Sequence, residues 1–218
     1  DHSDCKVFIV DRQFHNVVVE ALAQVDREIT VIDIDDKQAG LGDIPAIGKL
    51  EYESFLETGD EGFEWIRPDD EWQAISLSYT SGTTGNPKGV VYHHRGSYLM
   101  SMGSISAWNM PNRLTYLYTV PMFHCNGWGY PWTLAMLHAR VIFIRNIVVK
   151  EIFELIDEYD VTHFGGAPIV LNMIANAPAE DQKALKNKVY VMTAGAPPPS
   201  SILQKMESLG FEVMHVYG

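Results

Sequence analysis

The sequence predicts an α/β fold, a mostly parallel sheet flanked by helices. Three observations carry that expectation. β-rich apolar runs alternate along the chain with amphipathic stretches of about ten residues, the pattern of βαβ units. The chain has 218 residues, 46% of them hydrophobic, enough to bury a core. Glycine- and proline-rich loops fall just after predicted strands, where ligands of open α/β sheets gather.

The elements follow in order. Lys6 to Val10 (KVFIV) reads as a strand. Phe14 to Val25 has helical spacing, with Phe14, Val17, Val18, Leu22 and Val25 on one face. Ile29 to Ile34 is a second strand and Lys49 to Thr58 a short helix. Residues 51 to 72 carry nine acids against one base, Arg67, which reads as a solvated connection. Gln73 to Tyr79 is a strand that runs into a glycine-rich loop, Arg95 to Trp108 a helix and Leu114 to Val120 a strand. The alternation then repeats: strand Val141 to Ile144, helix Lys150 to Tyr159, strand Val161 to Phe164, helix Ile169 to Ala175. Strand Val189 to Thr193, helix Ser200 to Leu209 and strand Phe211 to Val216 complete it. The implied organisation is an α/β segment over 1–57, an acidic connection over 58–71 and an α/β core over 72–218.

Bulk charge and cysteine usage narrow the function classes. A net charge of -12 argues against a nucleic-acid partner. Two cysteines, Cys5 and Cys125, without a CxxC pair point to a reducing compartment, and a cytoplasmic location is expected. Cys125 reads as an inert buried thiol, because no base partner is evident. No apolar run approaches the ~20 residues of a membrane span. The first ten residues, DHSDCKVFIV, lack the basic n-region of a signal peptide, and the chain reads as a piece of a longer one.

The most distinctive stretch is Tyr79 to Val90, YTSGTTGNPKGV. Gly82, Gly85 and Gly89 let the backbone approach a ligand closely, and Thr80, Ser81, Thr83 and Thr84 supply hydroxyls. Lys88 adds one cation. The composition suits a polyphosphate, against the plainer alternative of a flexible surface turn. It is not the Walker A pattern, since glycine follows the lysine.

YTSGTTGNPKGV resembles the phosphate loop of the adenylate-forming superfamily, which includes acyl- and aryl-CoA synthetases, adenylation domains and luciferases. Three further stretches are similar in the same order. PMFHCNGW (121–128) resembles the aromatic substrate-gate motif of acyl-CoA synthetases, TAGAPP (193–198) the loop along the adenine, and Val216-Tyr217-Gly218 the opening of Tyr-Gly-x-Thr-Glu. The chain thus looks like part of the large N-terminal domain of an acyl-CoA synthetase acting on short- or medium-chain acids, of the fatty-acid, aryl or methylthiopropionate type.

That resemblance implies ATP, Mg²⁺ and CoA as co-substrates and a small carboxylic acid as substrate. It places Thr80, Ser81, Gly82, Thr83, Thr84, Gly85 and Lys88 on the phosphates, with Thr84 also toward Mg²⁺. Gly195, Ala196, Pro197 and Tyr217 go to the adenine. His124, the catalytic candidate, stands at the wall between acyl pocket and nucleotide, in contact with the carboxylate or the adenylate, or else is a satisfied core histidine. Trp128 reads as a pocket wall, sharing a face with His124 if the segment is helical, or as core packing. Gly165 and Gly166 border the pocket, or simply make a close turn into the helix at Pro168. Phe123, Trp128 and Tyr130 suggest a compact acyl tail. The expected cleft joins the glycine-rich turn to the loops at His124. The resemblance also implies a homodimer, and it places the acidic magnesium residue, the ribose aspartate and the lysine-bearing C-terminal domain beyond Gly218. The chain by itself is then not expected to adenylate. An adenylation domain loading a carrier protein and a non-catalytic nucleotide-binding module are the alternatives.

Overall fold

The computed structural model describes residues 2–81 and 85–217. It divides into two compact units, Asp1–Arg67 and Pro68–Gly218. Both are α/β with parallel sheets, as the alternation predicts.

The first unit is a three-stranded parallel sheet, β1 (Val7–Asp11), β2 (Thr30–Ile34) and β3 (Leu50–Glu51), in the order β1-β2-β3. Helix α1 (His15–Leu22) follows a 3-10 turn at Arg12–Phe14, and α2 (Tyr52–Leu56) follows β3. Buried Asp33 accepts the backbone N–H groups of Ile47 (3.0 Å) and Gly48 (2.9 Å), which ties the incoming loop to the sheet. Both helices are shorter than their apolar spacing predicts. Phe14 and Val17 stay exposed while Val18 is buried. Three short strands and two short helices supply no second layer to cover that whole face.

The second unit holds a five-stranded sheet in the order β10-β9-β8-β6-β7, parallel throughout. Its strands are β6 (Thr115–Tyr118), β7 (Arg140–Phe143), β8 (His163–Gly165), β9 (Val189–Thr193) and β10 (Phe211–His215). Helices α6 (Val149–Tyr159), α7 (Pro168–Ala175) and α8 (Ser200–Ser208) bury Ile152, Phe153, Leu171, Ile174 and Met206 with Leu117, Phe164 and Val191 of the sheet. α3 (His94–Ala107) and α5 (Tyr130–Met136) contribute to a second, aromatic core, where Tyr130 and Leu134 of α5 pack with Trp108, Tyr116 and Tyr118. From β6 the chain steps one way to β7, then crosses back past β6 to β8 and continues through β9 to β10. The gap between the ends of β6 and β8 is therefore the point where strand order reverses, and open α/β sheets bind ligands at such a point.

Two features depart from the expected pattern. Residues Gly89–His93 form a strand, β5, that pairs antiparallel with β4 (Ala74–Tyr79) as a separate two-stranded ribbon. The glycine-rich stretch is thus the tip of a hairpin and not a strand-end loop of the parallel sheet. A turn short enough to join neighbouring strands can only join antiparallel ones; a parallel pair needs a crossover. The second feature is α5, which begins just after the aromatic motif with Pro131 in its first turn, a position proline favours because its missing N–H would be unpaired there anyway.

Candidate functional site

Loops at the carboxyl ends of all five parallel strands line one cavity of about 730 Å³. Thr119, Val120 and Pro121 come from the end of β6, Ile147 from beyond β7 and Ala167 and Pro168 from beyond β8. Ala194, Gly195 and Ala196 follow β9, and Val216 follows β10. Its volume lies in the range of small-molecule sites. His124 and Cys125 stand on its wall with Trp128 and Tyr130, and Met192 and Ser104 also face it.

The strand ends are fastened to one another. The Thr119 hydroxyl donates to the Gly165 carbonyl, the Gly166 N–H to Met192 O (2.8 Å) and the Val216 N–H to Thr193 O (2.9 Å). The Tyr130 hydroxyl contacts Met192 Sδ at 2.9 Å, and burial pushes its pKa far up, so it stays neutral. Partial burial lifts Tyr118 to about 12.

The segment between His124 and Tyr130 is not right-handed. Cys125, Asn126, Gly127, Trp128 and Gly129 have φ of 46°, 43°, 57°, 59° and 74°, so α4 (Cys125–Trp128) is a left-handed turn. L-residues pay about 1–2 kcal/mol each for that conformation. The expectation that His124 and Trp128 share an α-helical face is therefore corrected, although both line the cavity. Tight packing explains Gly127, where a Cβ would run into the Tyr118 hydroxyl, and the left-handed φ of 74° explains Gly129, whose near neighbour is only the flexible end of Met100. Phe123 points to solvent at 82% exposure and is not a wall. Cys125 is exposed, not buried, with Sγ 4.0 Å from His124 Nε2, because the left-handed turn swings it outward to the cavity rim.

The remaining sequence candidates divide clearly. His124, Trp128, Gly195 and Ala196 line the cavity. Pro197 and Tyr217 are exposed beside it, on the loops after β9 and β10. Gly165 is packed: a Cβ there would lie 3.0 Å from Val120, 3.1 Å from the Tyr116 hydroxyl and 3.3 Å from the Trp128 ring. The missing side chain thus makes room for the wall itself. Gly166 abuts Leu171 and Val170 at the start of α7 in the same way.

At the hairpin tip, the Thr80 N–H donates to Lys88 O (3.1 Å) and the Lys88 N–H to the Thr80 hydroxyl (3.0 Å). Ser81, Gly85 and Lys88 are exposed there. Gly82, Thr83 and Thr84 lie outside the described residues. The described residues of the tip do not line the cavity, unlike the single cleft expected from the sequence. The hairpin meets the cavity wall through Asn126, whose amide bonds Ser76 and Ser78 of β4.

Sequence reasoning missed Ser104, Met192 and Ile147 on the wall, residues with no signal beyond their place at strand ends or on α3. Among the described residues no group of three or more His, Cys, Asp or Glu side chains could hold a metal ion. Nor is any helix among them long and apolar enough to cross a membrane.

A model of the AMP-binding enzyme family matches residues 1–218. The acetate/butyrate–CoA ligase AAE7, peroxisomal, of Arabidopsis thaliana is 45% identical over 228 residues, covering 100% of this chain and 40% of that protein. The acetate–CoA ligase CCL3 of Humulus lupulus is 44% identical, with 100% of this chain and 40% of that protein covered. The chain thus spans 40% of the length of these curated relatives. In fold, it is similar to the inhibitor-bound N-terminal domain of FACL13 from Mycobacterium tuberculosis. The TM-score is 0.72 at 24% identity, over 97% of this chain and 56% of that one.

Proposed function

This chain belongs to the AMP-binding enzyme family, and from that premise we propose that the full-length protein is an AMP-forming ligase of small carboxylic acids. The observation that carries the reading is the cavity at the sheet's reversal point, which brings His124, Trp128, Gly195 and Ala196 together. The names of the plant relatives support an acyl-CoA ligase acting on a short acid.

In the proposed reaction a carboxylate oxygen attacks the α-phosphorus of ATP. The bond from that phosphorus to the bridging oxygen breaks, and pyrophosphate leaves with the electron pair. The CoA sulfur then attacks the acyl carbon of the adenylate and AMP departs, the thiol proton passing to solvent. Such chemistry asks for in-line positioning, neutralisation of the phosphates and exclusion of water from the mixed anhydride. The exposed Lys88 with Thr80 and Ser81 suits a polyphosphate, and Gly82, Thr83, Thr84 and Gly85 of the same stretch are assigned to the phosphates with them. Mg²⁺ enters with ATP as part of the substrate, with Thr84 as its candidate contact. His124 stands where acid and nucleotide would meet. Trp128 and Tyr130 bound the acyl tail and favour a compact one. Gly195, Ala196 and Pro197, with Tyr217, offer backbone and flat surface to the adenine.

A homodimer and a cytoplasmic location belong to the same reading. The peroxisomal name of the Arabidopsis relative is the observation that favours an organelle instead, and microscopy of the tagged full-length protein separates the two.

The test is acid-dependent ATP–pyrophosphate exchange by the full-length protein over short-chain, medium-chain, sulfur-containing and aromatic acids. Exchange with a compact acid is expected, and Lys88→Ala should lower kcat/KM for ATP about a hundredfold. Absence of exchange with every acid tested would overturn the reading.

A further inference from the structure

The left-handed turn at Cys125–Gly129 demands something to hold it. Five consecutive residues have positive φ, and three of them are not glycine. Two backbone bonds lie within the segment, Gly127 N–H to His124 O (2.9 Å) and Gly129 N–H to Asn126 O (3.0 Å). The Tyr118 hydroxyl donates to Gly127 O at 3.2 Å from the sheet side. From the other side comes the hairpin: the Ser78 hydroxyl donates to Asn126 Oδ1, and Asn126 Nδ2 donates to Ser76 Oγ at 2.7 Å.

The hairpin's pattern is unusual in a way these bonds explain. In β4, alternate residues face opposite sides. Ser76 and Ser78 are half-buried, whereas Ile75, Leu77 and Tyr79 are exposed. On β4 the inward face is polar and the outward face apolar, the reverse of what burial alone selects, while Tyr92 and Val90 of β5 stand beside the two serines. A polar inward face needs a polar partner, and Asn126 supplies both an acceptor and a donor to it. Ser78 lies two residues before Thr80, which is bonded to Lys88 across the tip. Asn126 is flanked by Cys125 and Gly127, with His124 and Trp128 each two residues away.

We propose that Asn126 is a positioning residue: through Ser76 and Ser78 it clamps the cavity-lining turn, and with it His124 and Trp128, to the hairpin that carries the glycine-rich tip. The consequence for acid binding rests on the function proposed above; the clamp itself does not. Asn suits the post, because its side chain tolerates the left-handed region better than most and still reaches outward. Without the amide, the left-handed turn keeps its backbone bonds but loses its hold on the hairpin.

The test uses the full-length protein. Asn126→Ala is expected to speed hydrogen exchange in a peptide covering residues 125–129 about tenfold, the value of one to two hydrogen bonds, while peptides from β6, β8 and β9 stay unchanged. Ser76→Ala with Ser78→Ala, on the half-exposed hairpin, should give the same acceleration. Adding Asn126→Ala to that pair should give no more than the small backbone cost of alanine at positive φ, well short of the sum, because all three substitutions break one clamp. Asn126→Asp keeps an acceptor for Ser78 and should restore much of the protection. In turnover, Asn126→Ala should raise the acid KM about tenfold and leave the ATP KM within about threefold. Wild-type exchange at 125–129 in Asn126→Ala, or effects that add independently across the three positions, would overturn the clamp. If the wild-type protein activates no acid, the function reading falls, and the exchange measurement still decides the clamp.

Discussion

The parallel sheet and the β4–β5 hairpin belong to one unit and are built on opposite terms. Phe164 of β8 is 0% exposed, in one core cluster with Leu117 and Val191. Leu77 of β4 is 42% exposed, and Val91 across the ribbon 59%. The sheet holds its shape by burial, worth roughly 25 cal/mol per Å² of apolar surface. The hairpin holds its place by strand pairing, by the two serine contacts to Asn126, by the edge-on contact of Tyr92 with Trp132 and by running directly into α3. Scaffold and hairpin are thus held by different interactions within one unit.

The largest effect is expected in the sheet. Phe164→Ala is expected to cost about 3–5 kcal/mol, read from urea denaturation, since the site is walled by strands and helices that cannot collapse into the void. A loss under about 1 kcal/mol would mean that the sheet is no more buried than the ribbon.

Next in size is a pH effect at His163. Its ring lies between Tyr190, stacked at 4.9 Å, and Trp108, edge-on at 5.0 Å. Nδ1 meets the Thr162 hydroxyl at 2.8 Å, and buried Nε2 has no hydrogen-bond partner among the described residues. Burial lowers its pKa from 6.5 to about 4. The folded chain therefore keeps the ring neutral while the unfolded chain protonates it below 6.5. Its contribution is complete above pH 6.5 and fades as pH falls toward 4, a loss of up to about 3 kcal/mol. Denaturation midpoints at pH 7.5 and pH 5 should separate in the wild type and draw together in His163→Phe. An unchanged gap in that variant would assign the acid sensitivity elsewhere.

Smallest is the hairpin. Leu77→Ala should change stability by no more than about 0.5 kcal/mol, as for other exposed positions. A cost comparable to Phe164→Ala would show the ribbon's outer face to be covered in solution.

Most of the sheet was legible because its strands are short β-branched and aromatic runs set between amphipathic helices. Ile152, Phe153 and Ile156 mark the buried side of α6 by spacing alone. β5 was not legible, since Gly89 reads as the end of the loop and Val90 to His93 then pass for its exit. The left-handed turn was hidden for a stronger reason. Asn126 and the two glycines accept positive φ, but Cys125 and Trp128 have no local preference for it, so the contacts of Tyr118 and the hairpin are needed to select the whole turn. Gly165 and Gly166 were visible as a tight turn, but which neighbours fill the space above them depends on residues far away in the chain.

By itself the sequence determined the α/β class, the order of the parallel strands along the chain and the motifs that mark an AMP-binding enzyme, because periodicity and turn chemistry act over a few residues. Only the tertiary structure decided that the glycine-rich tip belongs to an antiparallel ribbon, that His124 and Trp128 reach one cavity through a left-handed turn, and that Asn126 joins the two. Those outcomes depend on contacts between residues some fifty positions apart, and no local pattern encodes which distant partner will be there to make them.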